Sequence, residues 1–442
     1  MINIPYNQAP KSWEIAPLEV IANFNSGITW KKSQELDKNE DSSFPVIRVG
    51  NVQDYLETDD LLYLLGITDE AFEKNKASKG STIYVGSNGS QTRIGNAIYI
   101  DKDKDFLVAS FLNSIKSNNE KKLLNEFLYY WFNSYNVQQI LSNTAESTSG
   151  LYNLSQSLLE KLKISYPKLN VQKSIIEVAK FLDNINYDLR EIIKKKILIK
   201  KRLINQIIQN NLSGKNKFIV RELNERESLN FDFVDNENNE WVIEPLSNKS
   251  LFSINSNKLS EKTSKDFYFN YIEIEGVNSK LLIKPDNYKI YFGEAPSRAR
   301  KVLRNNDVVV CSVRPILQKN FHVSWDVNND YICSTGFNVI SCVSDIDGNL
   351  LKNIVFSDFF LRQMIAYESG TSYPAVSDQD FKKIIISLPK KEKTKIDIIE
   401  FLDKFESNLK YYVQLYDVYK RIKDNIISNL MNGKVESLIK NK

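Results

Sequence analysis

Side chains able to do covalent chemistry are scarce in this sequence, whereas side chains able to recognise are plentiful. The chain has one histidine, His322, and three cysteines, Cys311, Cys333 and Cys342. General acid–base catalysis and Ser-His-Asp arrangements therefore have a single histidine to work with. The spacings between the cysteines and His322 lack the CxxC knuckle of a zinc site, and free thiols on buried strands account for them. No GxGxxG, GxxxxGK[ST] or HExxH motif occurs. Nor does the Asp-Pro-Pro-Tyr or Asn-Pro-Pro-Tyr tetrapeptide of amino-methyltransferases. No catalytic residue, metal ligand or bound cofactor is expected.

Recognition chemistry concentrates in polar turns between β-type runs. Ser87, Asn88, Ser90, Gln91, Thr92 and Arg93 stand in one glycine-rich loop, GSNGSQTRIG. Asn and Gln match the hydrogen-bonding edge of adenine, and Arg matches that of guanine. Arg48 and Asn51 in VIRVGNV, and Lys31 and Lys32 after Trp30, could add contacts. Later in the chain Arg314, Gln318, Lys319 and Asn320 form a comparable set. The segment APSRARKVLR places Arg298, Arg300, Lys301 and Arg304 close together, which fits phosphate contacts. Ser147–Gly150 and Ser369–Ser372 are a further matching pair of loops, with Thr371 and Tyr373 as candidate contacts. Any one of these could be a plain turn or a solvated basic face.

The scaffold that positions them is duplicated. DFLVASFLNSI at Asp105 and DYICSTGFNVI at Asp330 lie 225 positions apart, and Ile83 and Val85 match Val308 and Val310 at the same offset. LEKLKISYPK and FKKIIISLPK lie 222 apart, and the FLD tripeptides at Phe181 and Phe401 lie 220 apart. SWEIAPL and EWVIEPL open the two copies at Trp13 and Trp241. Order is kept while the offset drifts slowly, which identifies two copies of one unit.

Each copy begins with short β-type runs mixed with helical stretches, such as EFLYYWFNSYNVQQIL and NIVFSDFFLRQMIAY, and reads as a compact mixed α/β domain. Each ends in a long helix, entered after Pro167 or Pro389 and left at Ser213-Gly214 or Asn432-Gly433. The expected division is 1–168, a helix over 169–212, a linker over 213–240, a second domain over 241–390, a second helix over 391–431, and a tail over 432–442.

Apolar residues recur at 3–4 spacing along both helices. The seam runs through Val178, Leu182, Ile185, Leu189 and Ile192 in the first, and Leu402, Phe405, Leu409, Tyr412 and Tyr416 in the second. Such a pattern predicts a coiled coil. The fold expected is mixed α/β: two globular domains, each followed by a long helix, with the helices paired antiparallel under a pseudo-twofold axis. Further apolar positions, Phe181 and Ile193 among them, flank the seam, either as docking surface for partners or as cover for the helix's own domain.

A net charge of +4 permits local basic patches without announcing a nucleic-acid binder. The odd cysteine count fits a reducing cytoplasm, and neither a signal peptide nor a membrane-spanning run is read.

This architecture resembles the specificity subunit of type I restriction–modification systems over nearly the whole chain. The motifs that carry the likeness are SGITWKK, VIRVGNV, GSNGSQTRIGNAIYI, STSGLYNLSQSLLEKLKISYP and ESGTSYPAVSDQDFKKIIISLP; CSVRPILQKN departs from the glycine-rich loop of the first copy. The resemblance implies two target recognition domains, each reading half of a split site on double-stranded DNA. It implies that the helices act as a ruler for the gap, a rod of roughly 60 Å spanning about 17 base pairs. It also implies modification subunits, two in number, which bind S-adenosylmethionine and carry the adenine methyltransferase chemistry, and restriction subunits that join them. The alternatives are a reader serving another defence or nuclease complex, and a coiled-coil scaffold without DNA readout.

Overall fold

The structure is a computed structural model, and it describes residues 10–36, 38–58, 60–148, 150–212, 241–277, 284–328, 330–370 and 374–434. The expected linker over 213–240, Thr371 and Tyr373, and the tail beyond 434 lie outside the described residues. The chain divides into two compact units, Met1–Leu189 with Leu415–Lys442, and Arg190–Gln414. The division cuts through both long helices, Leu169–Leu212 and Glu392–Met431, so each unit contains a segment of each.

In the first unit the opening strand Glu14–Pro17 pairs antiparallel with the closing strand Lys163–Tyr166, Glu14 opposite Tyr166. Between them the chain forms a four-stranded antiparallel sheet in the order Ala22–Ser26, Leu112–Ser117, Thr82–Val85, Ala97–Tyr99. A second sheet contains Phe44–Ile47 running parallel to Leu107–Val108, with Val46 opposite Leu107. The strand Thr82–Val85 is buried at every residue, as its unbroken β-branched and aromatic run requires. The core joins Ile83, Leu112, Phe127 and Phe132 to Ile175, Ala179 and Leu182 of the first long helix and to Ile427, Leu430 and Met431 of the second.

The second unit repeats this plan. Trp241–Pro245 pairs antiparallel with Ile385–Pro389, Trp241 opposite Pro389. The strands Phe252–Ile254, Phe337–Cys342, Val308–Cys311 and Phe321–His322 form the equivalent antiparallel sheet. Tyr268–Ile272 runs parallel to Tyr331–Ser334, with Tyr271 opposite Ile332; both partners stand 225 positions after Val46 and Leu107. Its core joins Leu246, Val308, Ile340 and Phe381 to Ile204 and Ile208 of the first long helix and Leu402 of the second.

The predicted helical stretches are each divided. The first becomes Asn125–Phe132 and Tyr135–Thr144, with the Ser134 hydroxyl donating back to the Trp131 carbonyl at 2.7 Å. The second falls into Asp345–Ile354 and Asp358–Ala366, the latter capped by Ser357, whose Oγ accepts from the Phe360 N–H at 3.1 Å. The run FPVIRVGNV is a strand only to Ile47, because Asn51 Oδ1 accepts from the Arg48 N–H at 2.8 Å and closes a turn.

The long-helix segments meet within each unit, and in the second their contacts run antiparallel. In the first, Lys423 Nζ meets Asp183 at 3.0 Å and the Tyr419 hydroxyl donates to the Leu182 carbonyl at 3.3 Å. In the second, Lys196 Nζ donates to Asn408 at 2.6 Å and Lys200 meets Glu406 at 3.3 Å. Nine of the ten predicted seam residues are buried or partly buried. Leu182, Leu402 and Leu409 are buried, and Ile185, Leu189, Ile192, Phe405, Tyr412 and Tyr416 are partly so, but Val178 is 41 % exposed. Ala179, Asn186 and Lys200 are buried as well on the first helix, and Glu406 on the second. Apolar spacing does not mark these added positions, because they are an alanine, an asparagine and two charged residues that satisfy one another.

Candidate nucleic-acid interface

In the first unit the structure brings two predicted loops together. Ser87–Asn88 forms a short strand against Leu151–Asn153, which is itself the second arm of a hairpin with Glu146–Thr148. Ser87 Oγ donates to Asn153 Oδ1 at 2.6 Å, and Asn88 Oδ1 accepts from the Ser90 N–H at 2.7 Å. Gln91–Arg93 then makes one 3-10 turn, tied to the neighbouring helix by Gln91 Nε2 on the Ser142 carbonyl at 2.9 Å. This leaves Gly89, Ser90 and Thr92 exposed on a braced finger beside the hairpin tip at Gly150–Leu151.

Arg93 holds this finger to the rest of the unit. Its guanidinium donates to the carbonyls of Val49 at 3.0 Å and Val52 at 2.6 Å, and to Gln53 Oε1 at 2.7 Å. Burial lowers its pKa, against the pull of Asp54. Arg48, half-exposed, lies 3.7 Å from the Asp60 carboxylate. Lys31 and Lys32 are exposed.

The second unit carries the same pair of features. Val313 bridges to Ala375 of the hairpin Glu368–Ser369/Ala375–Val376, and the Arg314 N–H donates to the Pro374 carbonyl at 2.8 Å. A 3-10 turn follows at Pro315–Leu317, with Gln318 Nε2 on the Phe356 carbonyl at 3.4 Å and Lys319 Nζ on the Ile274 carbonyl at 3.0 Å.

The arginine cluster separates by role. Arg298 is exposed with its guanidinium 3.7 Å from Glu273, which also accepts from the Tyr288 hydroxyl at 2.9 Å. Arg304 is exposed and donates to Asn257 at 2.9 Å. Arg300 lies over the Phe292 ring, 4.8 Å from its centroid.

Three of the predicted contacts are corrected. Asn51 is buried, and its amide donates to the carbonyls of Glu57 and Asp60, both at 3.0 Å. Lys301 is buried, donates to the Phe337 carbonyl, and burial lowers its pKa. Asn320 is buried, accepting from the Cys311 N–H at 3.0 Å and donating to Val355 at 3.1 Å. Each satisfies backbone groups that would otherwise be stranded in the core, so none presents a free edge to DNA.

Sequence reading passed over two features. Ile316 and Leu317 stand exposed at the tip of the second turn, where a Pro-flanked apolar pair between Arg314 and Gln318 was the available signal. Tyr268, Tyr288 and Tyr291 are exposed on one sheet, with Tyr268 against Tyr291 at 4.6 Å between ring centroids; the alternating tyrosines of YFNYI and YKIY announced them. His322 Nε2 is 2.6 Å from Asn306 Oδ1, and burial pulls its pKa down to about 4. Burial pushes the Cys311 thiol up to about 11. Among the described residues no group of three or more His, Cys, Asp or Glu converges as a metal site, and no helix is long and apolar enough to cross a membrane.

Comparison with known proteins places these features in a family. The type I restriction enzyme MjaVIII specificity subunit of Methanocaldococcus jannaschii is 21 % identical across 97 % of this chain and 94 % of its own length. The EcoKI specificity subunit of Escherichia coli is 24 % identical over 169 residues, 38 % of this chain and 35 % of its own. The crystal structure of the S subunit from M. genitalium aligns over 97 % of both chains at 13 % identity, with a TM-score of 0.42. Residues 10–201 and 238–411 match the family described as the type I restriction modification DNA specificity domain, once in each copy of the repeat. The chain belongs to the type I restriction–modification DNA specificity family.

Proposed function

We propose that this chain is the non-catalytic, sequence-reading subunit of a type I complex and that each unit reads one half of a split site on double-stranded DNA. The observation that carries this is the duplicated pairing of a braced 3-10 finger with a hairpin, Gln91–Arg93 beside Glu146–Asn153 and Pro315–Leu317 beside Glu368–Val376. Paired readers on a duplicated scaffold suit a site with two separate parts. Of the predicted contacts, Ser90, Thr92, Lys31, Lys32, Arg298, Arg304 and Arg314 have exposed positions and remain the proposed DNA-facing set.

The long helices supply the partner surface and the ruler. Phe181 is 63 % exposed and Phe401 51 % exposed, and they occupy equivalent positions 220 residues apart. Two equal apolar anchors fit two copies of one partner, the modification subunit, which carries S-adenosylmethionine and the adenine methyltransferase chemistry. Restriction subunits complete the assembly, which works in the cytoplasm. Deleting one heptad from both helices is expected to shorten the unread gap and leave both half-sites unchanged.

The test is a genome-wide map of methylated adenines in a cell carrying the modification subunit, with and without this gene. Methylation at one split motif that disappears with the gene is the expected result. An unchanged map contradicts the proposal.

A further inference from the structure

The turn Arg314–Gln318 combines three properties seldom found together. Its tip is apolar and open to solvent: Ile316 is 61 % exposed and Leu317 46 % exposed. Its backbone is strained at both ends, with φ of 49° at Arg314 and 46° at Gln318, the left-handed region that residues other than glycine seldom occupy. It is also fixed. The Leu317 N–H donates to the Arg314 carbonyl at 3.0 Å and the Gln318 N–H to the Pro315 carbonyl at 2.9 Å. Pro315 is buried beside Val310, Phe360 and Met364. A flexible loop would fold two branched side chains back onto the protein; this one cannot.

The same position in the first unit carries a turn of opposite character. Gln91 and Thr92 stand 225 residues before Ile316 and Leu317, also on a 3-10 turn, also beside the hairpin. There the finger ends in polar groups; here the same finger ends in two bulky hydrocarbons.

We propose, resting on the reading of this chain as a DNA specificity subunit, that Ile316 and Leu317 form a wedge that enters duplex DNA between base steps. The second half-site is then read partly through how readily it unstacks and bends. Leucine and isoleucine are among the side chains that proteins insert in this way, and the deformation they impose depends on the sequence deformed. Cationic groups accompany the tip: Arg314 is exposed at its base, and Arg362 is exposed on the helix Asp358–Ala366 that packs against the turn. Contact with a thymine methyl needs only one small apolar surface. Two adjacent branched side chains on a rigid turn fit insertion better.

The test uses the full chain with its modification subunits and a duplex carrying the split motif that adenine mapping returns, with 2-aminopurine placed at successive steps of the second half. The complex is expected to raise 2-aminopurine fluorescence at one step. Ile316→Ser/Leu317→Ser is expected to abolish that rise and to weaken binding roughly tenfold or more at the second half-site only. Both side chains are exposed, so an unchanged melting temperature should accompany the loss, and Leu317→Ala gives a milder second variant. Motif binding without a fluorescence rise at any step overturns the wedge alone. Loss of affinity when thymines are replaced by uracils overturns it in favour of methyl contact. A double variant that no longer assembles with the modification subunits overturns it in favour of protein docking. Failure of the unsubstituted complex to prefer the motif over unrelated duplex overturns the underlying reading as well.

Discussion

The ammonium of Lys200 on the first long helix lies 3.3 Å from the carboxylate of Glu406 on the second, with 9 % of each side chain exposed. Burial lowers the Lys200 pKa despite its partner. Burial also works to raise that of Glu406, but Lys200, Lys352 and Lys410 outweigh it and hold the carboxyl below its ordinary range. Glu406 also meets Lys410 at 3.4 Å, so the member left without an ion-pair partner is Lys200 when Glu406 is removed. Glu406→Leu is therefore expected to lower stability by about 3–5 kcal/mol, and Lys200→Met/Glu406→Leu to recover most of it. Chemical denaturation of the three proteins checks this; equal losses in single and double variants would mean the pair is not the cause.

Asp307 is a buried carboxyl without a cationic partner at contact distance among the described ion pairs. Burial pushes its pKa up to about 6, although the Ser341 hydroxyl and the Arg304 N–H both donate to it. A folded-state pKa above the unfolded one means that the folded protein binds this proton more tightly. The carboxylate then costs up to about 3 kcal/mol at neutral pH, a cost relieved as pH falls through about 6 towards about 4. The stability of the wild type relative to Asp307→Asn should rise between about pH 7 and about pH 5, whatever the other carboxylates do. A flat difference across that range would refute this assignment.

Arg93→Ala removes two hydrogen bonds to the Val49 and Val52 carbonyls and one to the Gln53 side chain. The expected loss is about 2–3 kcal/mol of stability, with weaker recognition of the first half-site as a consequence. Thr92→Ala, on the exposed side of the same finger, should alter half-site recognition with the melting temperature unchanged. If Arg93→Ala melts like the wild type, the clamp is not what holds the finger.

Gly27 lies where a side chain has no room, because an added Cβ would run into the Ala109 carbonyl. Gly27→Ala should cost about 1–3 kcal/mol through forced backbone shifts. Gly89→Ala is the matched control, since an added Cβ there meets nothing within 4 Å. Comparable melting shifts for the two would contradict the close approach.

Phe181→Asp with Phe401→Asp places charges at two exposed positions and should leave folding intact. It is expected to abolish co-purification of the modification subunit. Retained assembly would remove these residues from the docking surface.

Much of this was legible in the sequence, and the failures have a common cause. The offsets near 225 became paired strands with matching registers, because strand position follows from local β-type patterning and from the turns between strands. The full width of the covered helix face was not legible, because periodicity counts apolar atoms and cannot see that Lys200 and Glu406 satisfy each other under cover. Among the site residues, Ser90 and Thr92 are exposed while Asn51, Lys301 and Asn320 are buried. The same polar side chain serves a ligand or the backbone, and only tertiary structure tells which.

The pairing of Glu14 with Tyr166, and of Trp241 with Pro389, has a consequence for how such chains change. Each globular domain begins and ends in one two-stranded ribbon, so its ends are neighbours. A segment with adjoining ends is a cassette: it can be exchanged whole by two crossovers in DNA encoding the ribbon, leaving the helices undisturbed. An exchange of that kind would replace one globular domain in a single step and keep both long helices.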